Sequence, residues 1–257
     1  MRGQDVPGFL KDGAKYGEEG PALQIDHFMV QVAALRAASL AISSPISEAS
    51  SMAESDELTT TAEALETAMA LWPTTLSWDW QYTTSPVFDR PDPKMIEPFR
   101  LLESTHRYQS HGHAAVWNRY RAIRLIVNSI RLRALRANSA MRSDEHRTLT
   151  EDSIRRTIRS VSHDLCASIP YFFNTPAQKR QESSRYVLEF GKWTYNSDSE
   201  IFPKFAVLLA WSLTVAVNVE AVPELQKQWL RGKLKIMAQS LGDSVLQDVA
   251  DGKGFKF

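Results

Sequence analysis

The chain has 257 residues, and 43% of them are hydrophobic, so it is long enough to bury a sizeable core. Its 30 Lys and Arg balance its 30 Asp and Glu, which excludes an overall positive field that would draw the protein to nucleic acid or to an anionic membrane. The single cysteine, Cys166, excludes an internal disulfide and a multi-cysteine metal cluster, and it fits a reducing intracellular compartment.

The N-terminal stretch, residues 1–20, combines glycine and charge with few large apolar side chains, which predicts a loose arm. It also lacks the continuous apolar segment of a secretory signal, so we expect an intracellular protein, cytoplasmic or, as the alternative, nuclear. Residues 21–257 are predicted to form one helical domain. Its longest apolar stretch, 205–217, is too short to span a bilayer, so no membrane span is expected.

Two amphipathic helices are predicted near the N-terminus from the spacing of their apolar residues. The first covers residues 23–42, and the second covers residues 58–72 and is ended by Pro73. The Ser-rich, acidic residues 43–57 between them are predicted to form a loop, because this composition favours solvent and turns.

Two segments rich in aromatic residues lack helical periodicity. The first covers residues 72–100 and contains several prolines, and the second covers residues 171–197. A shorter helix is predicted over residues 95–109. Long loops with large apolar side chains tend to pack on the protein and to carry function, so residues 72–100 are the first place to look for a ligand.

The longest regular stretch, residues 113–137, contains no Gly or Pro and is predicted to be the central helix. Apolar residues also lie opposite its main stripe, namely Trp117, Leu132 and Leu135, so neighbours are expected on two sides. The main stripe consists of Val116, Tyr120, Ile123, Val127 and Ile130.

Three more helices are predicted in the C-terminal half. A capping box at 148–151 is predicted to begin the first of them. Pro203 suits the first turn of the second helix, and Pro223 suits the first turn of the third. Gly242 is placed to cap the end of the third helix. We find no alternation typical of strands. The predicted fold is therefore all-α, a single-domain helical bundle with long aromatic-rich loops. One face of the last helix is predicted to hold Leu225, Trp229, Gly232, Ile236 and Ser240.

Four motifs occur in order along the chain: residues 72–84, the Trp-Asn-x-Tyr-Arg motif at 117–121, residues 158–170, and residues 229–242. Together they resemble the C-terminal half of the large regulatory domain of fungal Zn2Cys6 transcription factors, over roughly residues 55–250. The resemblance implies an intracellular helical domain that receives signals from metabolites or from protein partners.

The sequence departs from that family in one respect. The family reads DNA through a six-cysteine, two-zinc module, whereas this sequence has one cysteine, so we expect no specific nucleic-acid binding by this chain on its own. It is predicted to be a stand-alone regulatory-type domain, without a DNA reader, that binds a hydrophobic small molecule or a protein partner in fungal secondary metabolism. A homo-oligomer is left open.

An enzyme is the alternative interpretation. No nucleotide, flavin or metal fingerprint is evident, so neither a cofactor nor a metal is expected. A cofactor-independent cyclase or pericyclase, for example of the Diels–Alderase type, would fold a terpenoid or polyketide substrate in the same cavity and stabilise developing charge with a polar group. The residues leave the choice between enzyme and regulator open.

Both interpretations use a cavity predicted between the central helix and the two aromatic segments. Buried Asn and Arg side chains beside an apolar stripe must be satisfied, and a ligand oxygen at the edge of a cavity is one way to do so. An internal ion pair is the other. Asn118, Arg121 or His113 would supply the polar contact, and His113, Tyr82 and Arg121 are the candidate catalytic residues. The predicted ligand-binding residues are Trp78, Tyr82, Trp117, Asn118, Arg121 and Trp193.

Two further clusters have alternative interpretations. His106, His111 and His113 lie close together, but no carboxylate follows at helical spacing, so packing is favoured over a metal site. Seven arginines between residues 119 and 142 would suit phosphate, but pairing with acids is favoured. The acids considered as partners are Glu97, Glu103, Asp144 and Glu151.

Overall fold

The structure is a computed structural model that describes residues 13–17, 19–42, 48–86, 104–137, 144–173 and 201–253. Within these ranges the protein is mainly helical, which confirms the predicted class, and it has one small antiparallel sheet. The helices are α1 (Gly20–Ile42), α2 (Glu48–Thr75), α3 (His111–Ala137), α4 (Asp144–Ser168), α5 (Pro203–Asn218), α6 (Glu224–Leu241) and α7 (Ser244–Ala250). The strands are β1 (Thr83–Pro86) and β2 (Ser104–Arg107), and short 3-10 turns cover Gly13–Tyr16, Trp78–Trp80 and Ile169–Tyr171.

The central position of α3 is confirmed. Most of its side chains between Ala114 and Leu135 are buried, on more than one face of the helix. It packs against α1, α2, α4 and α5. A helix with apolar residues on opposite faces is stabilised only when both are covered, so its sequence fits this position between neighbours.

α2 begins earlier than predicted. The predicted loop at 43–57 was wrong for residues 48–57, which form the first turns of α2. Those residues include no Gly or Pro, and their Glu, Ala and Met favour helix strongly enough to outweigh the serines. Residues 43–47 lie outside the described part of the chain.

Pro73 lies inside α2 instead of ending it, because the helix continues to Thr75. Proline has no N–H, so within a helix it leaves the carbonyl four residues earlier without its usual donor. That carbonyl belongs to Met69, and it accepts a hydrogen bond of 3.0 Å from the hydroxyl of Tyr120 on α3. The proline is therefore accommodated by a contact between two helices.

Two short strands form a β-hairpin, and the second strand occupies residues that the sequence predicted to be the end of a short helix. Residues 104–107 form β2, which pairs antiparallel with β1 in the register Thr83 with Arg107. The prediction of helix over 95–109 was therefore wrong for these residues, and 87–103 lie outside the described ranges. Four residues per strand are too few for an alternating pattern to be recognised in the sequence.

Helix boundaries in the C-terminal half follow the predicted signals in part. α5 begins with Pro203 in its first turn, as predicted. α4 begins at Asp144, so the proposed capping box at 148–151 was wrong and lies inside the helix.

Gly242 caps α6 in a left-handed conformation with φ of 65°, as predicted, but the face that holds Leu225 and Gly232 is only partly buried. Leu225 is 44% exposed and Gly232 is also exposed. Two polar residues lie on the buried face, and apolar spacing alone does not reveal them. The buried residues are Gln226, Trp229, Leu230, Lys233, Leu234, Met237 and Ala238.

Buried side chains from all seven described helices form one hydrophobic core. Among the helices that the structure describes, none is long and apolar enough to cross a membrane. Residues 1–12 of the predicted N-terminal arm lie outside the description.

Candidate functional site

A buried polar cluster surrounds Arg121, which lies on α3 and is only 2% exposed. Its guanidinium donates to Tyr108 Oη at 2.7 Å and to Asn118 Oδ1 at 2.8 Å. A second nitrogen lies 3.2 Å from Nδ1 of His106. We call Tyr82, His106, Tyr108, Trp117, Asn118 and Arg121 the Arg121 cluster.

Aromatic rings enclose the guanidinium. Its central carbon lies 5.1 Å from the ring centroid of Tyr82, 5.9 Å from that of Tyr108 and 5.4 Å from that of Trp117. A desolvated cation at such distances gains about 2 kcal/mol from the ring quadrupoles. The indole Nε1 of Trp117 donates to the backbone oxygen of Trp80 at 2.8 Å, which ties the segment before β1 to α3.

Burial keeps the partners of Arg121 neutral. It lowers the pKa of His106 to about 3, with smaller contributions from the charges of Arg121 and His163. It raises the pKa of Tyr108 to about 12 against the opposing effect of Arg121. Burial also disfavours the charge of Arg121, but Tyr108, Tyr82 and Asp164 outweigh it and the pKa of Arg121 is raised. The cluster therefore holds one cation among neutral hydrogen-bond partners.

Asn118 is the incompletely bonded member of the cluster. Its Oδ1 accepts from Arg121 and, at 2.8 Å, from the hydroxyl of Ser168. These two donors fix the orientation of the amide. Its Nδ2 is buried without a hydrogen-bond partner in the described structure.

The structure brings together four predicted site residues, Tyr82, Trp117, Asn118 and Arg121. Two others do not join them or cannot be placed: Trp78 begins a 3-10 turn with its side chain 82% exposed, and Trp193 lies outside the described residues. The cluster also contains His106 and Tyr108, which the sequence did not assign to a site. His106 lies on β2 and Tyr108 directly follows it, so they could have been assigned to the site only if the pairing of β1 with β2 had been predicted.

His113, the remaining candidate, lies beside the cluster. Its ring centroid is 4.1 Å from that of Trp80, and its Nδ1 is 2.6 Å from the hydroxyl of Ser110. The same hydroxyl accepts from the backbone N–H of His113 at 3.2 Å. Ser110 thus caps the start of α3 and His113 packs there, and capping or packing was the interpretation favoured over metal binding.

The three neighbouring histidines occupy different environments. His106 belongs to the Arg121 cluster, and His111 stacks on Phe205 with ring centroids 3.7 Å apart. In the described ranges, no group of three or more His, Cys, Asp or Glu side chains could hold a metal ion. Cys166 is buried, and burial raises its pKa to about 12, so the thiol is neutral and unreactive at physiological pH.

A separate concave surface lies between α1 and α2. This groove has a volume of about 800 Å³. Small side chains leave it open, since Ala34 and Ala38 face it from α1, and Ala64 and Ala68 face it from α2. The sequence carried a signal for it, because these alanines recur at helical spacing. The full lining is Gln31, Ala34, Leu35, Ala38, Ala41, Glu57, Leu58, Thr61, Ala64, Leu65 and Ala68.

The two helices that line the groove are held together by a hydrogen bond between the first part of α1 and the last part of α2. The indole of Trp72 on α2 donates to the side-chain oxygen of Gln24 on α1 at 2.7 Å. Its ring also lies 5.3 Å from that of Trp117 and 4.8 Å from that of Tyr120, measured between centroids. Contacts that surround the Arg121 cluster therefore hold α2 against both α1 and α3.

Comparison with protein-family models, with curated proteins and with solved structures found no match for this chain. The resemblance to fungal Zn2Cys6 regulatory domains stays a prediction.

Proposed function

We propose that this chain is a non-enzymatic, regulatory-type helical domain that binds an elongated hydrophobic small molecule in the groove between α1 and α2. The groove carries the proposal, because its volume of about 800 Å³ and its alanine- and leucine-rich lining suit such a ligand. Small-molecule sites are typically concave, largely apolar and about 300–1,000 Å³ in volume. The resemblance to fungal regulatory domains supports a signalling role in fungal metabolism.

The dimensions of the groove suit an elongated small molecule. Its lining on α1 runs from Gln31 to Ala41, which is roughly 15 Å at about 1.5 Å per helical residue. A volume of about 800 Å³ along that length lies within the usual range for small-molecule sites. An extended apolar chain or a narrow polycyclic body fits this space.

The chemistry of the groove favours binding over catalysis. Its described lining includes one ionisable side chain, Glu57, so it offers no paired acid and base. The Arg121 cluster has the polar groups that the cyclase alternative needs, but Trp117, Asn118 and Arg121 are 3%, 0% and 2% exposed. A substrate could reach them only if the cluster opened.

The proposal is tested with the uncharged dye N-phenyl-1-naphthylamine, displaced by farnesol. We expect saturable dye fluorescence and competition by farnesol. Ala38→Phe and Ala64→Phe should each weaken farnesol binding by roughly tenfold or more, because the new rings occupy the groove. Both alanines are exposed, so the melting temperatures should change little.

The matched control is Ala70→Phe, since Ala70 is an exposed alanine of α2 that does not line the groove. It should bind farnesol like the unmodified protein. Absence of dye and farnesol binding by the folded protein, or equal weakening by all three substitutions, would contradict the proposal. Conversion of farnesol to a product detected by mass spectrometry would favour the cyclase alternative.

A further inference from the structure

Arg133 differs from the other arginines of α3 that the structure describes. Most of them reach an acid: Arg119 pairs with Asp26 at 2.9 Å, and Arg124 pairs with Glu66. Arg133 makes no hydrogen bond or ion pair with another described residue, and its Nε is buried without a partner. The remaining contacts are Arg131 with Glu63, Arg136 with Glu151 and Glu220, and Arg121 with the neutral groups of its cluster.

The surroundings of Arg133 disfavour its charge. Burial lowers the pKa of this guanidinium, and the positive charge of Arg36 on α1 lowers it further. Two acids near this end of α3 already pair with other arginines, because Glu151 accepts from Arg136 and Arg155, and Glu220 accepts from Arg136. A partly desolvated cation with a like charge beside it is stabilised by any anion that can reach it.

A cavity of about 310 Å³ lies at Arg133, between α3, α4 and the turn that follows α5. Its apolar wall is formed by Leu132, Ile158, Val219 and Ala221. Ser129 and Asn218 add a hydroxyl and an amide. Glu220 also lines it, but its carboxylate is 73% exposed and hydrogen bonded to Arg136, which places that charge at the rim.

We propose that this cavity binds a small organic acid whose carboxylate meets the guanidinium of Arg133. The planar guanidinium matches a carboxylate with two parallel hydrogen bonds, and the bond is stronger away from water. The apolar wall takes a short hydrocarbon body. The volume, about 310 Å³, is at the small end of the range for ligand sites, so the acid is compact. The site is separate from the α1–α2 groove and does not depend on its function.

The test is a titration followed by NMR and by melting temperature, with butyrate as the probe at constant ionic strength in chloride. Butyrate should saturate the site and raise the melting temperature, whereas 1-butanol, which lacks the carboxylate, should not. Inorganic phosphate should bind more weakly than butyrate, because it has no body to cover the apolar wall. Arg133→Gln should weaken butyrate binding by roughly tenfold or more.

Two comparisons separate a binding role of Arg133 from a structural one. Arg131→Gln, two positions away on another face of α3, should bind butyrate normally. In chloride alone, Arg133→Gln should melt at the same temperature as the unmodified protein or higher, because it removes a like charge near Arg36. Equal butyrate binding by Arg133→Gln, or stabilisation by butyrate no greater than by chloride, overturns the proposal. Tighter binding of phosphate than of butyrate overturns the organic-acid assignment.

Discussion

Arg121 shows how a charged side chain is held in the core without a hydrogen-bonded carboxylate. Transfer of an isolated cation from water costs several kcal/mol unless hydrogen bonds and nearby dipoles compensate. Here the compensation comes from the oxygens of Tyr108 and Asn118 and from the faces of Tyr82 and Trp117. The same burial keeps His106 neutral, so the cluster couples the stability of the protein to pH.

His106 should make the protein less stable in mild acid. Its pKa is lowered from 6.5 to about 3, so between those values the unfolded chain binds a proton that the folded chain does not. Stability therefore decreases as pH falls, and this residue alone contributes a loss of about 1.5 kcal/mol between pH 6.5 and about pH 5. Urea unfolding across that range measures the loss.

His106→Gln should remove most of that dependence while lowering stability overall, because glutamine does not titrate but loses packing against Tyr82. His146→Gln is the matched control, since His146 is an exposed histidine outside the Arg121 cluster. An unchanged slope in His106→Gln would show that the pKa of His106 in the folded protein is close to its value in the unfolded chain.

At the scale of elements, a buried ion pair joins α2 to α3. Glu66 is 7% exposed and accepts from Arg124 and, at 2.9 Å, from the Nδ2 of Asn128. The hydroxyl of Tyr120 also contacts Arg124 at 3.1 Å while it bonds to Met69. Removal of one partner leaves the other charge buried and unpaired. This costs more free energy of folding than the intact pair contributes.

Glu66→Ala should therefore destabilise the protein by about 3–5 kcal/mol, measured by urea unfolding. Glu63→Ala is the matched control on the same helix, because its side chain is 46% exposed and lies 4.0 Å from Arg131. That substitution should cost less than about 1 kcal/mol. Comparable losses in the two variants would mean that the Glu66–Arg124 pair is solvated like a surface pair.

The elements that sequence predicted well are those with local signals. α3 follows from its long apolar stripe, α5 from Pro203, and the end of α6 from Gly242. The hairpin was missed because its pairing depends on residues distant in the chain, such as Thr83 and Arg107. For the same reason four members of the Arg121 cluster could be predicted, but His106 on β2 and Tyr108 directly after it could not. The alanines of the groove recur at helical spacing on α1 and on α2, but neither stripe specifies that the two helices face each other.

At the scale of the whole molecule, the arginines of α3 do not form a basic surface. The chain has zero net charge, and four of these arginines pair with acids from α1, α2, α4 and the turn after α5. Arg121 is buried. A helix that grips phosphates needs several exposed and unpaired cations along one face. Pairing of these arginines with acids was the interpretation favoured from the sequence, and Glu151 is one of the partners expected there. The other expected partners cannot be compared. Glu97, Glu103 and Arg142 lie outside the described ranges, as does the side chain of Asp144.

We therefore predict that the purified chain does not bind duplex DNA selectively at physiological salt. Selection from a pool of random duplexes should enrich no sequence over several rounds. Any weak retention should be lost as salt increases, since non-specific contacts release counterions and their affinity falls steeply with salt. Arg133→Gln is an informative control, because loss of the one unpaired arginine of α3 should reduce such retention without creating or removing sequence preference. Enrichment of a defined site would show that the residues outside the described ranges supply a basic surface that α3 lacks.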